Sequence, residues 1–264
     1  MDLAKTVLRI KLDEACISAV LTDERRIAAV SSEAGREGQP EGGVLTYSAE
    51  MIHSGLQASF SALRDAVKAE FGQDLATVGT IEISAGMHGC LPFDREGGEL
   101  VLFQSWRDII SGPAAERLTR IFGVNIPQRS GIAQLYQALL NREERVKDIA
   151  FLTTPAGYLF WRLTGEKAVD AAEASCMFPT DPRTYDYDEI MLRKFAALTG
   201  VRLRTILPKV LPEGSCCGRL SEEGARFLDP SGTLPAGIPT VFSEGEEGAA
   251  AEAAGQDASC SKSL

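Results

Sequence analysis

The chain begins with short segments in which apolar and polar residues alternate, a pattern typical of β-strands. Three of these segments, separated by short turns, cover residues 6–12, 16–22 and 27–31. Short β-prone segments joined by tight turns predict an antiparallel meander. Residues 33–43, which follow, are rich in Gly and Glu, and this composition predicts a loop.

After this loop the spacing of the apolar residues changes from every second residue, typical of a strand, to every third or fourth residue, typical of a helix. Ser48 is a suitable N-cap and Gly72 a suitable end for a long helix over residues 49–71. The apolar residues of this segment would share one helix face. They are Ile52, Leu56, Phe60, Leu63 and Val67.

The stretch from 78 to 94 combines a strand with an unusual loop. Residues 78–84 are apolar and β-rich, and they lead directly into Ala85, Gly86 and a Met-His-Gly triplet. In an open α/β sheet, ligands bind beyond the carboxyl ends of the strands. His88, flanked by glycine, is therefore a candidate ligand-binding residue. The alternative is an ordinary polar loop residue, or a core histidine whose nitrogens are satisfied within the protein.

The rest of the chain alternates between helical and strand patterns. The apolar spacing and the Gly, Pro and Ser signals predict helices and strands without an internal repeat. Helices are predicted at 112–122, 132–141, 155–163, 188–198 and 221–228, strands at 146–153 and 237–242, a turn at 94–98 and an apolar return at 100–103. This order predicts an α/β protein.

Composition narrows the possible partners. The 264 residues include 27 basic and 37 acidic side chains, for a net charge of −10, which argues against nucleic-acid or anionic-membrane surfaces. No run approaches the roughly 18 to 20 apolar residues of a membrane span, and the N-terminus is no signal peptide. Six scattered cysteines and two histidines make a zinc site unexpected. We expect a cytoplasmic protein with reduced thiols.

Several segments, taken together, resemble the FGGY family of carbohydrate kinases. The resemblance extends over about residues 5 to 250, the N-terminal, sugar-binding half of that family. It implies an actin-like, ribonuclease H-like ATPase fold, a mixed sheet flanked by helices, with a small-molecule sugar bound in the cleft to a second domain. It also implies transfer of the ATP γ-phosphoryl group to a sugar hydroxyl, with ATP and Mg²⁺ as cofactors. The segments are 78–94, 105–108, 125–129, 148–165 and 228–233.

Two of these segments match the loops with which the family contacts its sugar. The first offers backbone groups and an imidazole, and the second an aromatic wall, a donor and an acceptor. The alternatives are a tryptophan in the core and an Arg–Asp pair on the surface. The residues assigned to sugar binding by this resemblance are Met87, His88, Gly89, Trp106, Arg107 and Asp108.

The phosphate-binding hairpin departs from the family pattern. Where the family has a Gly-Thr-Thr or Gly-Ser-Thr turn, this chain has Asp13, Glu14 and Ala15, and Lys11 replaces the aspartate that helps to organise Mg²⁺. A carboxylate about 4 Å from a phosphate oxygen is repelled by roughly 4 kcal/mol at an effective dielectric near 20. The segment therefore predicts a poor phosphate cradle. The alternative is an ordinary acidic hairpin tip.

The catalytic base of the family also differs. The resemblance aligns Glu246 with an aspartate that follows the strand at 237–242. The additional methylene moves the carboxylate by about 1 Å, and a displacement of that size can cost about a hundredfold in rate. The alternative is that Glu246 belongs to a solvated acidic run.

The resemblance divides the chain into a sugar-kinase domain over 1–248 and a low-complexity tail over 249–264, with the second, nucleotide-binding domain absent. Three functions remain open: an FGGY-type kinase or its sugar-binding half acting on a ketopentose, a catalytically inactive sugar-binding or regulatory protein, and a truncated remnant without function. A homo-oligomer, or a separate chain that supplies the second domain, would be the macromolecular partner. We do not expect this chain alone to transfer phosphate.

Overall fold

The computed structural model describes residues 2–13, 16–22, 48–85, 89–100, 111–211 and 218–243, together with the backbone of 26–33. The strands are β1 (Val7–Leu12), β2 (Cys16–Thr22), β3 (Arg26–Glu33), β4 (Thr80–Ala85), β5 (Leu91–Phe93), β6 (Phe151–Thr153), β7 (Ala168–Val169), β8 (Lys209–Val210), β9 (Gly218–Arg219) and β10 (Pro239–Phe242). The helices are α1 (Ala49–Phe71), α2 (Gly112–Phe122), α3 (Gly131–Leu140), α4 (Pro155–Thr164), α5 (Ala171–Met177), α6 (Glu189–Thr199) and α7 (Glu222–Leu228).

Six strands form one mixed sheet in the order β3-β2-β1-β4-β10-β9. The first three strands are antiparallel, which confirms the predicted meander. Strand β4 is parallel to β1, and β10 is parallel to β4. Parallel neighbours need crossover connections, and here the long segments that contain the helices provide them. The result confirms a mixed sheet flanked by helices.

Helix α1 covers one face of the meander and begins and ends as predicted. The Ser48 hydroxyl accepts the Met51 backbone N–H at 3.1 Å, and Gly72 ends the helix with a φ of 67°. Its apolar face is fully buried, with Leu56 and Leu63 at 0% exposure. Amphipathic spacing and local caps were sufficient to fix this helix, because both act within one or two turns.

The buried apolar residues form two clusters. The first joins the sheet to α1, α4 and α7, and the second joins α2, α3, α5 and α6. Phe242, the last residue of β10, packs against both clusters. The end of β10 therefore lies where the two halves of the core meet.

The predicted strand at 146–153 is wrong in its first half. A 3-10 turn covers Glu144–Asp148, and only Phe151–Thr153 is extended. Val146 and Ile149 are both buried although they are three residues apart. Spacing of three is a helical period, and it places both side chains on the same side of the turn. Strands β5 and β7–β9, of two or three residues each, were not predicted because they are too short to show a period. Helix α5, of seven residues, was also not predicted. Of the loop predicted over residues 33–43, Glu33 instead ends β3, and residues 34–43 lie outside the described residues.

Candidate functional site at the carboxyl edge of the sheet

Three parallel strands end together at one edge of the sheet. In the strand register Leu12 pairs with Ala85, and Phe242 pairs with Ile83. The Ser243 N–H donates to the Ile83 carbonyl at 2.8 Å and extends this pairing beyond β10. Ligands of open α/β sheets bind at such an edge. The predicted phosphate, sugar and base segments follow β1, β4 and β10 respectively, so all three follow strands that end at this edge.

Only two of the predicted site residues belong to the part of the chain that the structure describes. They are Asp13, directly after β1, and Gly89, before β5. The other predicted residues lie outside the described residues. These are Glu14, Ala15, Met87, His88, Trp106, Arg107, Asp108 and Glu246.

The described part of the phosphate hairpin holds an ion pair of its own. The Asp13 N–H donates to the Cys16 carbonyl at 2.9 Å and closes the turn. The Lys11 Nζ lies 3.6 Å from the Asp13 Oδ2, with both side chains about two-fifths exposed. An exposed pair of this kind contributes about 0 to 1 kcal/mol. The Asp13 carboxylate is thus partly balanced by Lys11, while no carboxylate stands at the Lys11 position to orient a metal ion.

Within the described residues, no group of three or more His, Cys, Asp or Glu side chains could hold a metal ion. At the hairpin itself, a cation replaces the carboxylate that would organise Mg²⁺, and the Asp13 carboxylate would repel a phosphate. The described residues of this edge therefore do not fit Mg-ATP.

Gly89 is the described residue of the predicted sugar loop. Its φ is 141°, and among the described residues no atom outside its chain neighbours lies within 4 Å of the position where a Cβ would stand. Glycine adopts such a φ readily, whereas L side chains rarely do. The next residue, Cys90, is buried, and burial raises the pKa of its thiol far above the usual range. Cys90 is thus a neutral packing residue beside the loop.

The Cys90 thiol packs against the first residue of α3. A Cβ added to Gly131 would overlap the Cys90 Sγ and would also lie 3.6 Å from the Met177 Cα. Glycine is therefore required at position 131, because α3 starts in direct contact with the residue that follows the predicted sugar loop. Ser130 caps α3 by accepting the Ala133 N–H at 3.4 Å.

A cluster of polar groups lies behind this contact. Leu91 pairs with Thr153 in the β5–β6 ladder, so Cys90 and Thr154 are the next residues on either side. The Thr154 hydroxyl accepts the Gly157 N–H at 3.0 Å as the cap of α4, and it acts to lower the pKa of the Glu173 carboxyl group. The cluster connects the start of α4 with the first turn of α5.

Two carboxyl groups of this cluster have raised pKa values. Burial raises the pKa of Glu173 to about 7, with the Thr154 hydroxyl opposing the shift and the charge of Asp170 adding to it. Burial also raises the pKa of Asp170, against hydrogen bonds from the Glu173 and Ala172 N–H groups. Sequence reasoning missed Glu173. The Asp170–Glu173 spacing matches a helix N-cap signature and could have located the start of α5, although not its surroundings.

The segment over 228–233, part of the family resemblance, is a structural loop centred on Asp229. This side chain is buried and accepts the N–H groups of Ser231, Thr233 and Leu234 at 3.0–3.1 Å. Arg64 of α1 lies 3.3 Å from it. Burial acts to raise the pKa of Asp229, but the hydrogen bonds outweigh it and hold the pKa below its usual value. The loop fixes the path of the chain from α7 towards β10.

The segment over 125–129, also part of the resemblance, borders an open groove of about 640 Å³. The remaining described walls of the groove come from α2. Its polar side chains are Glu116, Thr119, Arg120, Asn125 and Gln128. In the described part of the chain, no hydrogen bond or ion pair joins these five side chains to the carboxyl ends of β1, β4 and β10, so we assign the groove no role.

A substitution at the α3 contact tests this packing. Gly131→Ala is expected to cost about 1 to 3 kcal/mol of unfolding free energy, because the added methyl overlaps the Cys90 Sγ. Cys90→Ala removes that sulfur, so in the double variant the cost of Gly131→Ala should fall by at least half. Urea unfolding of the four proteins measures both values. Additive effects of the two substitutions would contradict the contact.

No helix in the described residues has both the length and the apolar character to cross a membrane.

A comparison with curated proteins gave no match. Solved structures do match. A "xyloylose kinase" from Brucella ovis is 21% identical with a TM-score of 0.72, covering 89% of this chain and 48% of that chain. A xylulose kinase from Rhodospirillum rubrum is 19% identical with a TM-score of 0.71, covering 95% and 52%. A gluconate kinase from Lactobacillus acidophilus is 16% identical with a TM-score of 0.70, covering 89% and 47%.

At these identities the solved structures establish the fold, which is the actin-like ATPase fold expected from the sequence. The chain spans about half the length of the solved structures it matches. The sequence model of the FGGY family of carbohydrate kinases, N-terminal domain, matches residues 16–251. That match includes most of the chain and all of the sheet beyond β1, and it identifies this protein as a member of the FGGY family of carbohydrate kinases.

Proposed function

We propose that this chain binds a sugar at the carboxyl edge of β1, β4 and β10, as the sugar-binding part of an FGGY-type carbohydrate kinase. The common edge of these three strands is the observation that carries the proposal. Ligands of open α/β sheets bind at such an edge. The segments that resemble the family's phosphate-binding, sugar-binding and catalytic-base segments follow these strands along the chain.

In this proposal, two segments of the chain bind the sugar. His88 would exchange hydrogen bonds with sugar hydroxyls, aided by backbone groups of Met87 and Gly89. Trp106 would provide an apolar wall for the ring carbons, with Arg107 as donor and Asp108 as acceptor. Convergent donors and acceptors beside one aromatic face are what a polyhydroxylated ligand requires. The φ of 141° at Gly89, which L side chains rarely adopt, supports a specific need for glycine at the end of this segment.

The expected substrate is a ketopentose. Xylulose is a ketopentose, and the Rhodospirillum rubrum relative is a xylulose kinase. The gluconate kinase from Lactobacillus acidophilus has a TM-score close to that of the xylulose kinase. Gluconate, an open-chain sugar acid, is therefore the ligand with which a ketopentose should be compared. The family reaction would transfer the γ-phosphoryl group of ATP to a sugar hydroxyl, and Glu246 would accept the proton of that hydroxyl.

A second candidate function is sugar binding without phosphoryl transfer. The Lys11–Asp13 pair favours it, because it places a carboxylate at the phosphate turn and a cation where a metal-orienting carboxylate is needed. In this case Glu246 would be a solvated acid, and the chain would act as a sensor or regulatory subunit.

Calorimetric titration distinguishes these functions. The purified chain is titrated with xylulose, ribulose, gluconate and glycerol, each with and without Mg-ATP. We expect a pentulose to bind with an affinity that Mg-ATP leaves unchanged. Turnover heat with Mg-ATP would favour the active kinase and would contradict our interpretation of Asp13. Absence of binding by every sugar would overturn the proposed function.

A further inference from the structure

The Glu99 side chain joins the β5 hairpin, formed by β5 and residues 94–100, to the first turn of α1. Its Oε2 accepts the Ala49 N–H at 2.8 Å. Ala49 is the first residue of α1, and the Ser48 cap accepts the Met51 N–H instead. The first N–H groups of a helix have no acceptor inside the helix. Glu99 therefore supplies the acceptor that Ala49 lacks, from a position 50 residues further along the chain.

The β5 hairpin determines the direction of the chain after Glu99. Glu99 pairs with Phe93 in an antiparallel bridge. The Leu100 N–H donates to the Pro92 carbonyl at 2.8 Å, and the Leu100 side chain is buried in the second apolar cluster. Antiparallel neighbours run in opposite directions. At Leu100 the chain is therefore directed back along β5, towards Gly89 of the predicted sugar loop.

A second side chain holds the same end of α1. The Tyr158 hydroxyl donates to the Ala49 carbonyl at 3.4 Å. The Tyr158 ring also stacks on Phe93, with the ring centroids 5.4 Å apart. Since Phe93 is the bridge partner of Glu99, the β5 hairpin, α4 and the start of α1 are joined in one closed set of contacts around Ala49.

The position of Leu100 bears on the second predicted sugar segment, which consists of Trp106, Arg107 and Asp108. This segment follows Leu100 closely along the chain. A chain spans at most about 3.3 to 3.6 Å per residue, so a shift of Leu100 moves the space that the segment can reach. The contact between Glu99 and α1 lies directly before this point.

We propose that Glu99 is a positioning residue, which accepts the Ala49 N–H and thereby holds the β5 hairpin against α1. Held in this way, Leu100 is a fixed starting point for the second predicted sugar segment. The effect on sugar binding rests on the proposed function. The effects on the β5 hairpin and on Trp106 do not.

Two substitutions of similar size test the acceptor by hydrogen exchange. Glu99→Gln keeps a carbonyl oxygen that can accept the Ala49 N–H, whereas Glu99→Leu has no acceptor. In Glu99→Leu, peptides that span residues 48–56 and 89–100 should open about tenfold more often than in the wild-type protein, because losing such a hydrogen bond changes an equilibrium by about that factor. Glu99→Gln should stay within about twofold of the wild-type protein. Peptides from α6 should be unchanged in both variants.

The fluorescence of Trp106 tests whether the effect reaches the second predicted sugar segment. The chain has two tryptophans, so Trp161→Phe leaves Trp106 as the only one. In that background Glu99→Leu should increase the quenching of Trp106 by acrylamide, because a less restrained segment gives the quencher more access. Glu99→Gln should leave the quenching unchanged.

Glu96→Leu is the matched control, because Glu96 is an exposed glutamate in the turn of the same hairpin. It should change neither the exchange of the two peptides nor the quenching of Trp106. Equal changes in Glu99→Leu and Glu99→Gln, or no change in Glu99→Leu, would overturn the proposal. If Glu99→Leu does not fold, the wild-type protein decides: the Ala49 amide should be protected from exchange, unlike an ordinary first-turn amide, and an unprotected Ala49 would also overturn the proposal.

Sugar binding is measured separately. For a sugar that binds, Glu99→Leu should raise the Kd severalfold, and Glu99→Gln should leave it close to the wild-type value. An unchanged Kd in Glu99→Leu, in a protein whose Trp106 responds, would contradict the link between Glu99 and the sugar. If no sugar binds to the wild-type protein, the proposed function fails, and hydrogen exchange and fluorescence still decide the role of Glu99.

Discussion

Replacing His88 with alanine is expected to weaken sugar binding by about 10- to 100-fold. The imidazole is the side chain of the Met-His-Gly segment that can hydrogen-bond a sugar hydroxyl from both ring nitrogens. Losing such a contact and leaving the hydroxyl unpaired costs about 1.4 to 2.8 kcal/mol, which corresponds to that range of affinity. Calorimetric titration with the best pentulose of the panel measures the change.

The other histidine of the chain provides the matched control. His53 lies on α1, where its ring stacks on Phe227 with the ring centroids 3.9 Å apart. His53→Ala removes this packing and a hydrogen bond with Gln57, so it should lower stability without changing the sugar Kd more than twofold. Equal losses of affinity in the two variants would mean that His88 acts through folding. An unchanged Kd in His88→Ala would show that the imidazole does not contribute to sugar binding.

The second large effect is expected for Asp229→Ala, which should lower the unfolding free energy by about 2 to 4 kcal/mol. The carboxylate is 1% exposed and accepts three backbone N–H groups and the Ser231 hydroxyl. Alanine would leave these donors without their acceptor, and Arg64 would lose its partner. Urea unfolding at pH 7 measures the loss.

The effect should depend on pH in a defined direction. The pKa of Asp229 is lowered in the folded protein. Its stabilisation is therefore fully present above the unfolded pKa, near 3.9, and is lost as the pH falls through the folded value. The difference between wild type and Asp229→Ala should shrink in acid. A difference that stays constant down to pH 2 would show that packing, and not the charged hydrogen bonds, causes it.

Asp74→Ala is the control for this prediction. Asp74 also pairs with a basic residue, at 3.0 Å from Lys68, but its side chain is 71% exposed. Exposed pairs contribute little because water and salt screen them. The substitution should change stability by less than about 0.5 kcal/mol. A loss as large as that of Asp229→Ala would contradict the argument from burial.

The sequence by itself determined the elements whose signals are local. Helix α1 has the predicted limits, since Ser48, Gly72 and the spacing of its apolar face all act within a few residues. Strands β1 and β2 follow from alternation, which matches a sheet with one buried face. The family resemblance then supplied the fold class, a mixed sheet flanked by helices, and the residues proposed for the site, because motif order along the chain carries that information.

The tertiary structure decided what depends on partners distant in sequence. The β5–β6 ladder joins Leu91 to Thr153, and a three-residue strand has no period of its own to reveal it. Gly131 is required by the sulfur of Cys90, a neighbour that no local pattern indicates. The raised pKa of Glu173 likewise follows from burial between elements, whereas its sequence neighbours indicate only a helix cap. Local patterns fix elements within a few residues, but burial and charge environment arise only when distant segments pack together.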